Sequence, residues 1–266
     1  MSKKILASFL GLTFMSMSIS GVHAANQDID FSKLTAEQKT QLGKVVEQYM
    51  IENPEILIKV SNALQEAEAL RIKNQVMAIK TDILNDKNTA IVKGKDPKVT
   101  IVEFFDYNCI HCSGVYPEVK KLMEDKNNSN VNFAFKEFPI FADKMKESKI
   151  AAATGLKILN TKGIDAYMIF HNGLFDTKHV EGELSIKDIE DNAKKAGSEI
   201  ISDEEMKTYE AMIEKNMSLQ APIGIQGTPF FLILPENDKA ENIQFVGGAA
   251  KAEQIQQVLD SVKAKN

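Results

Sequence analysis

The chain of 266 residues contains only two cysteines, too few to staple a disulfide scaffold or to fill a four-thiolate zinc site. It also lacks an excess of positive charge. Lys and Arg number 32 against 37 Asp and Glu, a net charge of −5, which leaves no basic footprint for a phosphate backbone and excludes nucleic acid as a partner. Missing as well, beyond the N-terminal stretch, is any apolar run near the roughly 20 residues needed to cross a bilayer. The remainder, 44% hydrophobic and 26% charged, is enough for one large globular domain or one domain with an appendage.

The first residues predict a secretory leader. Met1-Ser-Lys-Lys gives a short positive start, Ile5 to Ile19 is apolar with small residues, and Val22-His23-Ala24 has the small-residue pattern of a cleavage site, so cleavage is expected after Ala24. The apolar run is shorter than a span and broken by serines, which argues against an anchor. Export to an oxidising compartment sharpens the question of the cysteines, because a close pair is not held reduced there by default. Such a pair is either structural or redox-active.

From Asp30 to about Asn88 the pattern is helical. Thr35-Ala-Glu-Gln38 has the form of a capping box for a helix running to about Ile51. Asn53-Pro-Glu55 reads as a second start, with Asn as the cap and Pro in the first turn. Leu57, Val60, Leu64 and Ala67 form one helical stripe and Ile72, Val76, Ile79 and Ile83 another, offset by one residue, so no single heptad seam runs through both. Such a segment either packs on its own domain or, as a mostly polar helix with a thin apolar stripe ahead of a complete domain, serves as an oligomerisation arm, and the arm is the expected reading.

Lys93-Gly-Lys-Asp-Pro-Lys98 reads as a turn-rich hinge, followed by the buried strand Val99–Phe105. The cysteines come next, at the start of a helix carrying Val115, Val119 and Leu122. Val131–Phe135 alternates as a second strand, and strand, helix, strand makes a parallel βαβ unit. Lys144 to Gln220 is almost all helical, with Ser185 and Ser202 as caps. Phe230–Leu234 and Ile243–Val246 form a hairpin before a terminal helix bearing Ile255, Val258, Leu259 and Val262.

Cys109 and Cys112, three positions apart on the first turn of a helix, lie on one face with α-carbons roughly 5 to 6 Å apart, within disulfide reach. The unpaired N–H groups of the helix start stabilise a thiolate at Cys109, pulling it below the free value of about 8.5. Cys109 is therefore the expected nucleophile. Cys112, one turn deeper, is the resolving thiol, and His111 is expected to donate to the thiolate or add positive charge. A purely structural bridge is disfavoured, since so short a loop removes little chain entropy. A metal site would need both thiols with His171 or His179, which are read instead as solvated or hydrogen-bonded surface residues.

Val102-Glu-Phe-Phe-Asp-Tyr-Asn-Cys-Ile-His-Cys112, Phe135-Lys-Glu-Phe-Pro139 and Gly224-Ile-Gln-Gly-Thr-Pro-Phe-Phe231 together resemble the DsbA-like thiol:disulfide oxidoreductases of bacterial envelopes. The resemblance covers Lys98 to the C-terminus, and the arm with Glu52-Asn-Pro-Glu-Ile56 resembles the subset whose N-terminal extension makes dimers or trimers. It implies an α/β, thioredoxin-like fold with a helical insertion at about 141–222, preceded by a helical extension. The expected division is a leader over 1–24, an oligomerisation region over 25–92 and a catalytic domain over 93–266.

The resemblance also implies site residues. Thr228-Pro229 matches a cis-proline loop facing the cysteines, where the Thr228 backbone pairs with a substrate peptide, and Gly227 gives the chain room to turn. Glu103 matches a buried acid whose raised pKa lets it exchange a proton with Cys112. Lys136 is expected to pair with Glu103. Ile110 stands where proline is common in the family, and Thr before the cis-proline resembles the isomerases more than the monomeric oxidase. The implied partners are exported proteins with cysteines and a membrane redox protein that recycles the pair, in the periplasm. No cofactor is implied. The competing readings are an envelope holdase and a module that sequesters Cu(I) on its thiols.

Overall fold

The computed structural model describes residues 33–84 and 87–265; the predicted leader lies outside them. These described residues divide into two compact units between residues 59 and 60.

Helix α1, Ala36–Glu52, starts with the expected capping box. Gln38 N–H donates to Thr35 Oγ1 at 3.2 Å and Thr35 N–H to Gln38 Oε1 at 2.9 Å, satisfying two orphan donors. Helix α2 runs over Glu55–Ala78 and α3 over Lys80–Leu84. Asn53 differs from expectation. It is the C-cap of α1, its side chain donating to the Tyr49 carbonyl at 2.8 Å. The offset between the two stripes marks a change of environment along α2: Leu57, Val60 and Leu64 are exposed, whereas Val76 and, in α3, Ile83 are fully buried.

Among the described residues the sheet has five strands: β1 (Thr89–Val92), β2 (Val99–Phe105), β3 (Val131–Glu137), β4 (Phe230–Pro235) and β5 (Gln244–Gly247), in the order β1-β3-β2-β4-β5. Only β2 and β3 run parallel, joined through α4 (Ile110–Glu124) as the βαβ pattern required. The remaining pairs are antiparallel, including the expected hairpin of β4 and β5. The expected boundary at 92/93 runs between two strands of this sheet, because the short edge strand β1 pairs with β3. The turn-rich Lys93–Lys98 segment connects strands of one unit.

Between β3 and β4 the helices α5 (Lys146–Lys162), α6 (Ile164–Thr177), α7 (Ile186–Lys195), α8 (Asp203–Met217) and α9 (Gln220–Ile223) form the insertion. Ser185 and Ser202 cap α7 and α8 with full capping boxes. The chain closes with α10, Ala252–Lys263, whose Ile255, Leu259 and Val262 are fully buried.

Every residue of β2 is buried, so both faces of the sheet are covered. Ile101, Phe105, Phe133, Phe135, Phe231 and Ile233 share one core with Val115, Val119, Leu174 and Leu259. Val102, Phe104, Ala134, Leu232 and Leu234 turn to the other, with Val76, Ile83 and Ile223. Both cysteines lie in the first core, which puts them on the face toward which Glu103 points.

Candidate functional site

Helix α4 begins at the nucleophile. Cys109 is its N-cap, in an extended conformation (φ −81°, ψ 116°), and as a thiol it makes no capping hydrogen bond. Its S–H group donates to the Thr228 carbonyl at 3.3 Å, and the Thr228-Pro229 bond is cis. Two segments more than a hundred residues apart in sequence thus meet at one sulfur. Both cysteines are free thiols; Cys109 is 3% exposed and Cys112 not at all.

The two thiols are driven apart electrostatically. Cys109 is pulled down to about 5, first by the hydrogen bond from the Cys112 thiol, then by the Thr228 side chain and the backbone N–H groups of Cys112 and His111, while burial pushes the other way. Cys112 is raised well above the ordinary thiol value by burial, by giving its proton to that hydrogen bond, and by the charges of Cys109 and Glu103. The pair titrates as a unit, with the first proton leaving from the outer sulfur.

Glu103 lies on β2 between Ile101 and Phe105, in register with Phe135 on one side and Phe231 on the other. It is 5% exposed, and burial pushes its carboxyl up to about 8. A carboxyl poised there can hold or release a proton near neutral pH, and its charge is felt at Cys112.

The profile of the family described as Thioredoxin matches residues 85–260. The chain belongs to the thioredoxin family. Within it, this is a DsbA-like thioredoxin-fold protein with an N-terminal helical extension. A second profile, described as the copper resistance protein ScsC N-terminal domain, matches residues 38–69. The crystal structure of BcfH from Salmonella enterica Typhimurium is 26% identical, with a TM-score of 0.63, covering 85% of this chain and 96% of that one. A linker-deletion variant of Proteus mirabilis ScsC is 25% identical, with a TM-score of 0.65, covering 88% and 99%. Disulfide bond formation protein D of Bacillus subtilis strain 168 is 27% identical over 164 residues, 58% of this chain and 69% of that protein. A Rickettsia bellii relative, carrying a provisional protein-disulfide oxidoreductase name, is 28% identical over 109 residues, and this chain spans 39% of its length.

Other expected residues of this thioredoxin-family chain sit differently. His111 is exposed, and it acts on the sulfur through its backbone N–H. Lys136 does not face Glu103: it is in register with Phe104, so alternation puts it on the opposite face of the sheet, where its ammonium donates to Asn216 Oδ1 at 3.2 Å. A Cβ at Gly227 would meet nothing within 4 Å, so the turn does not need glycine there for space. His179 is at the surface, its Nδ1 3.0 Å from Asp188 Oδ2, which raises its pKa.

His171 is a correction. It is 2% exposed, its ring sits among Phe105, Phe135, Tyr167 and Phe175, and burial pushes it down to about 3, so it is neutral. Its Nδ1 lies 3.3 Å from the Tyr107 hydroxyl. Tyr107 and Tyr167 both donate to Glu137 Oε1, at 3.1 and 2.8 Å, and burial raises that carboxyl well above the ordinary range. This polar cluster, and the pair Asp106 and Asn108 ahead of the nucleophile, were not singled out from the sequence. The spacing Asp106-x-Asn108 is the available signal, an acid whose side chain can accept from the backbone two residues on. Among the described residues no three His, Cys, Asp or Glu side chains converge as a metal-ion site.

Proposed function

We propose that the protein is a periplasmic thiol:disulfide oxidoreductase that oxidises, reduces or isomerises disulfides in exported clients through a mixed disulfide at Cys109. One observation carries this reading. The outer sulfur is held as a thiolate source at about 5, 3.3 Å from the Thr228 carbonyl, while the inner sulfur is buried and kept protonated.

In the reducing direction the Cys109 thiolate attacks a client disulfide, forming the mixed disulfide and releasing one client thiolate. Cys112 then gives up its proton, with Glu103 carboxylate as the acceptor, and attacks Cys109 Sγ. That step expels the second client thiolate and leaves the Cys109–Cys112 disulfide, so two electrons have passed to the client. The reverse sequence oxidises a client dithiol. Stabilising the Cys109 thiolate favours the reduced pair and so makes the disulfide form the more oxidising. A membrane redox protein is the proposed partner that resets the pair.

The supporting relatives include two proteins whose names state disulfide chemistry. The copper-resistance profile ends at residue 69, forty residues before Cys109, so it bears on the arm and not on the thiols. The direct test is exchange with a scrambled ribonuclease or with insulin: turnover supports the reading, and its absence in both the reduced and oxidised protein sinks it.

The arm is proposed to join copies of this chain into a dimer or trimer. Val45, Ile51, Leu57, Ile58 and Leu64 are all more than half exposed, an apolar display that association would remove from water. The double variant Leu57→Lys, Leu64→Glu is expected to run as a monomer in light scattering. A mass equal to that of an oligomeric wild type would remove the arm from the interface.

A further inference from the structure

Cys109 occupies the position at which Ser, Thr, Asp or Asn usually caps a helix by accepting from the N–H groups of the second or third helical residue. Here those residues are His111 and Cys112, the two whose backbone N–H groups act on the sulfur. The thiol makes no capping bond, and it is the ionised sulfur that takes the cap's role. A cap works only when the backbone just ahead of it holds the side chain over the helix end, and the residue just ahead is Asn108.

Asn108 is completely buried, and all four of its hydrogen-bonding groups are engaged. Its N–H donates to Asp106 Oδ1 at 2.9 Å. Its side-chain amide donates to Ser148 Oγ at 2.9 Å, on α5. Its side-chain oxygen accepts from Gly182 N–H at 3.2 Å, and its carbonyl accepts from Glu181 N–H at 2.8 Å. Glu181 and Gly182 both have positive φ, 52° and 97°, a turn that aims two successive N–H groups at one residue. Asp106 completes the arrangement: its other oxygen accepts from Phe141 N–H at 2.9 Å, and its carbonyl accepts from Cys109 N–H at 3.1 Å. The amide, with a donor and an acceptor at its tip, serves Ser148 with the one and Gly182 with the other.

We propose that Asn108 is a positioning residue for the nucleophile: it ties the start of α4 to α5 and to the loop between α6 and α7, so that the N–H groups of His111 and Cys112 address the Cys109 sulfur. The proposal deepens the exchange reading by naming what sets the thiolate's geometry.

The test is a pH titration of thiolate absorbance at 240 nm on the reduced full chain, for wild type, Asn108→Ala and Asn108→Ser. With the side-chain ties cut, the Cys109 midpoint in Asn108→Ala is expected to rise by about one unit, a tenfold change in the thiolate equilibrium. Asn108→Ser, which keeps a hydroxyl for one of the two partners, is expected to shift less in the same direction. A folded variant with lowered melting temperature and the wild-type midpoint would make Asn108 a structural residue only and overturn the proposal. If Asn108→Ala does not fold, the midpoint of Asn108→Ser decides, and an unshifted value overturns it. The titration reads acidity whether or not exchange occurs, so a wild type inactive toward disulfides would refute the proposed function without touching this result.

Discussion

Cys109→Ala is expected to lower disulfide exchange by about 10³-fold or more, the order of loss seen when a nucleophile is removed and no covalent intermediate can form. Cys112→Ala should behave differently. Cys109 still attacks, but nothing resolves the product, so a client-bound mixed disulfide accumulates, one per chain, visible by mass spectrometry and released by dithiothreitol. A second effect separates the two thiols further. The hydrogen bond from Cys112 is the largest single contribution holding Cys109 at about 5, so Cys112→Ala should also move the Cys109 titration upward. An adduct found on Cys112 in the Cys109 variant, at the rate seen for Cys109 itself, would contradict the assignment of roles.

Glu103→Leu is expected to stabilise the fold while slowing exchange. The carboxyl titrates at about 8 in the folded protein against a reference of 4.5, so between these values the folded state binds more proton than the unfolded one. Stability therefore falls as pH rises across that interval, by at most about 1.4 kcal/mol per pH unit. The full penalty is absent below 4.5 and complete above 8. At pH 7 it has an upper bound of about 3 kcal/mol, and leucine among Ile101, Phe105, Phe135 and Phe231 removes it. Denaturant unfolding of the disulfide form, in which the thiols do not titrate, should show the variant's advantage growing from pH 5 to pH 8. A pH-independent difference would mean that Glu103 does not carry the burial penalty. Exchange by the same variant should slow by about 10²-fold at the resolving step, the scale of a positioned general base.

Much of this site was legible because its chemistry depends on local pattern. Cys109 and Cys112 follow a strand and open a helix, and Glu103 stands between Val102 and Phe104 in a run too apolar to be anything but buried. Thr228-Pro229 was legible only through family resemblance, since nothing nearby in sequence brings it to a sulfur 119 positions away. The misplacements share a cause, which is that tertiary register decides which face a polar residue meets. Lys136 is one step from Phe135, the residue in register with Glu103, and that step sends it to the other side of the sheet. His171 was expected at the surface as the alternative to a metal ligand, yet α6 also buries Tyr167, Phe170 and Phe175 around it. Strand β1 was hidden because four residues after a long helical stretch carry little period-two signal, and their strand character comes from pairing with β3. The Asn108 ties depend on Ser148 and on the Glu181-Gly182 turn, 40 and more residues away.

The central claim is that the fold makes Cys109, and not Cys112, the reactive thiolate. The most direct measurement is the pH dependence of alkylation of the reduced wild-type protein by iodoacetamide, with the modified cysteine identified by peptide mapping. The expected result is modification confined to Cys109, with its rate rising through a midpoint near 5. A midpoint near 9, the ordinary thiol value, or equal labelling of Cys112 would contradict it.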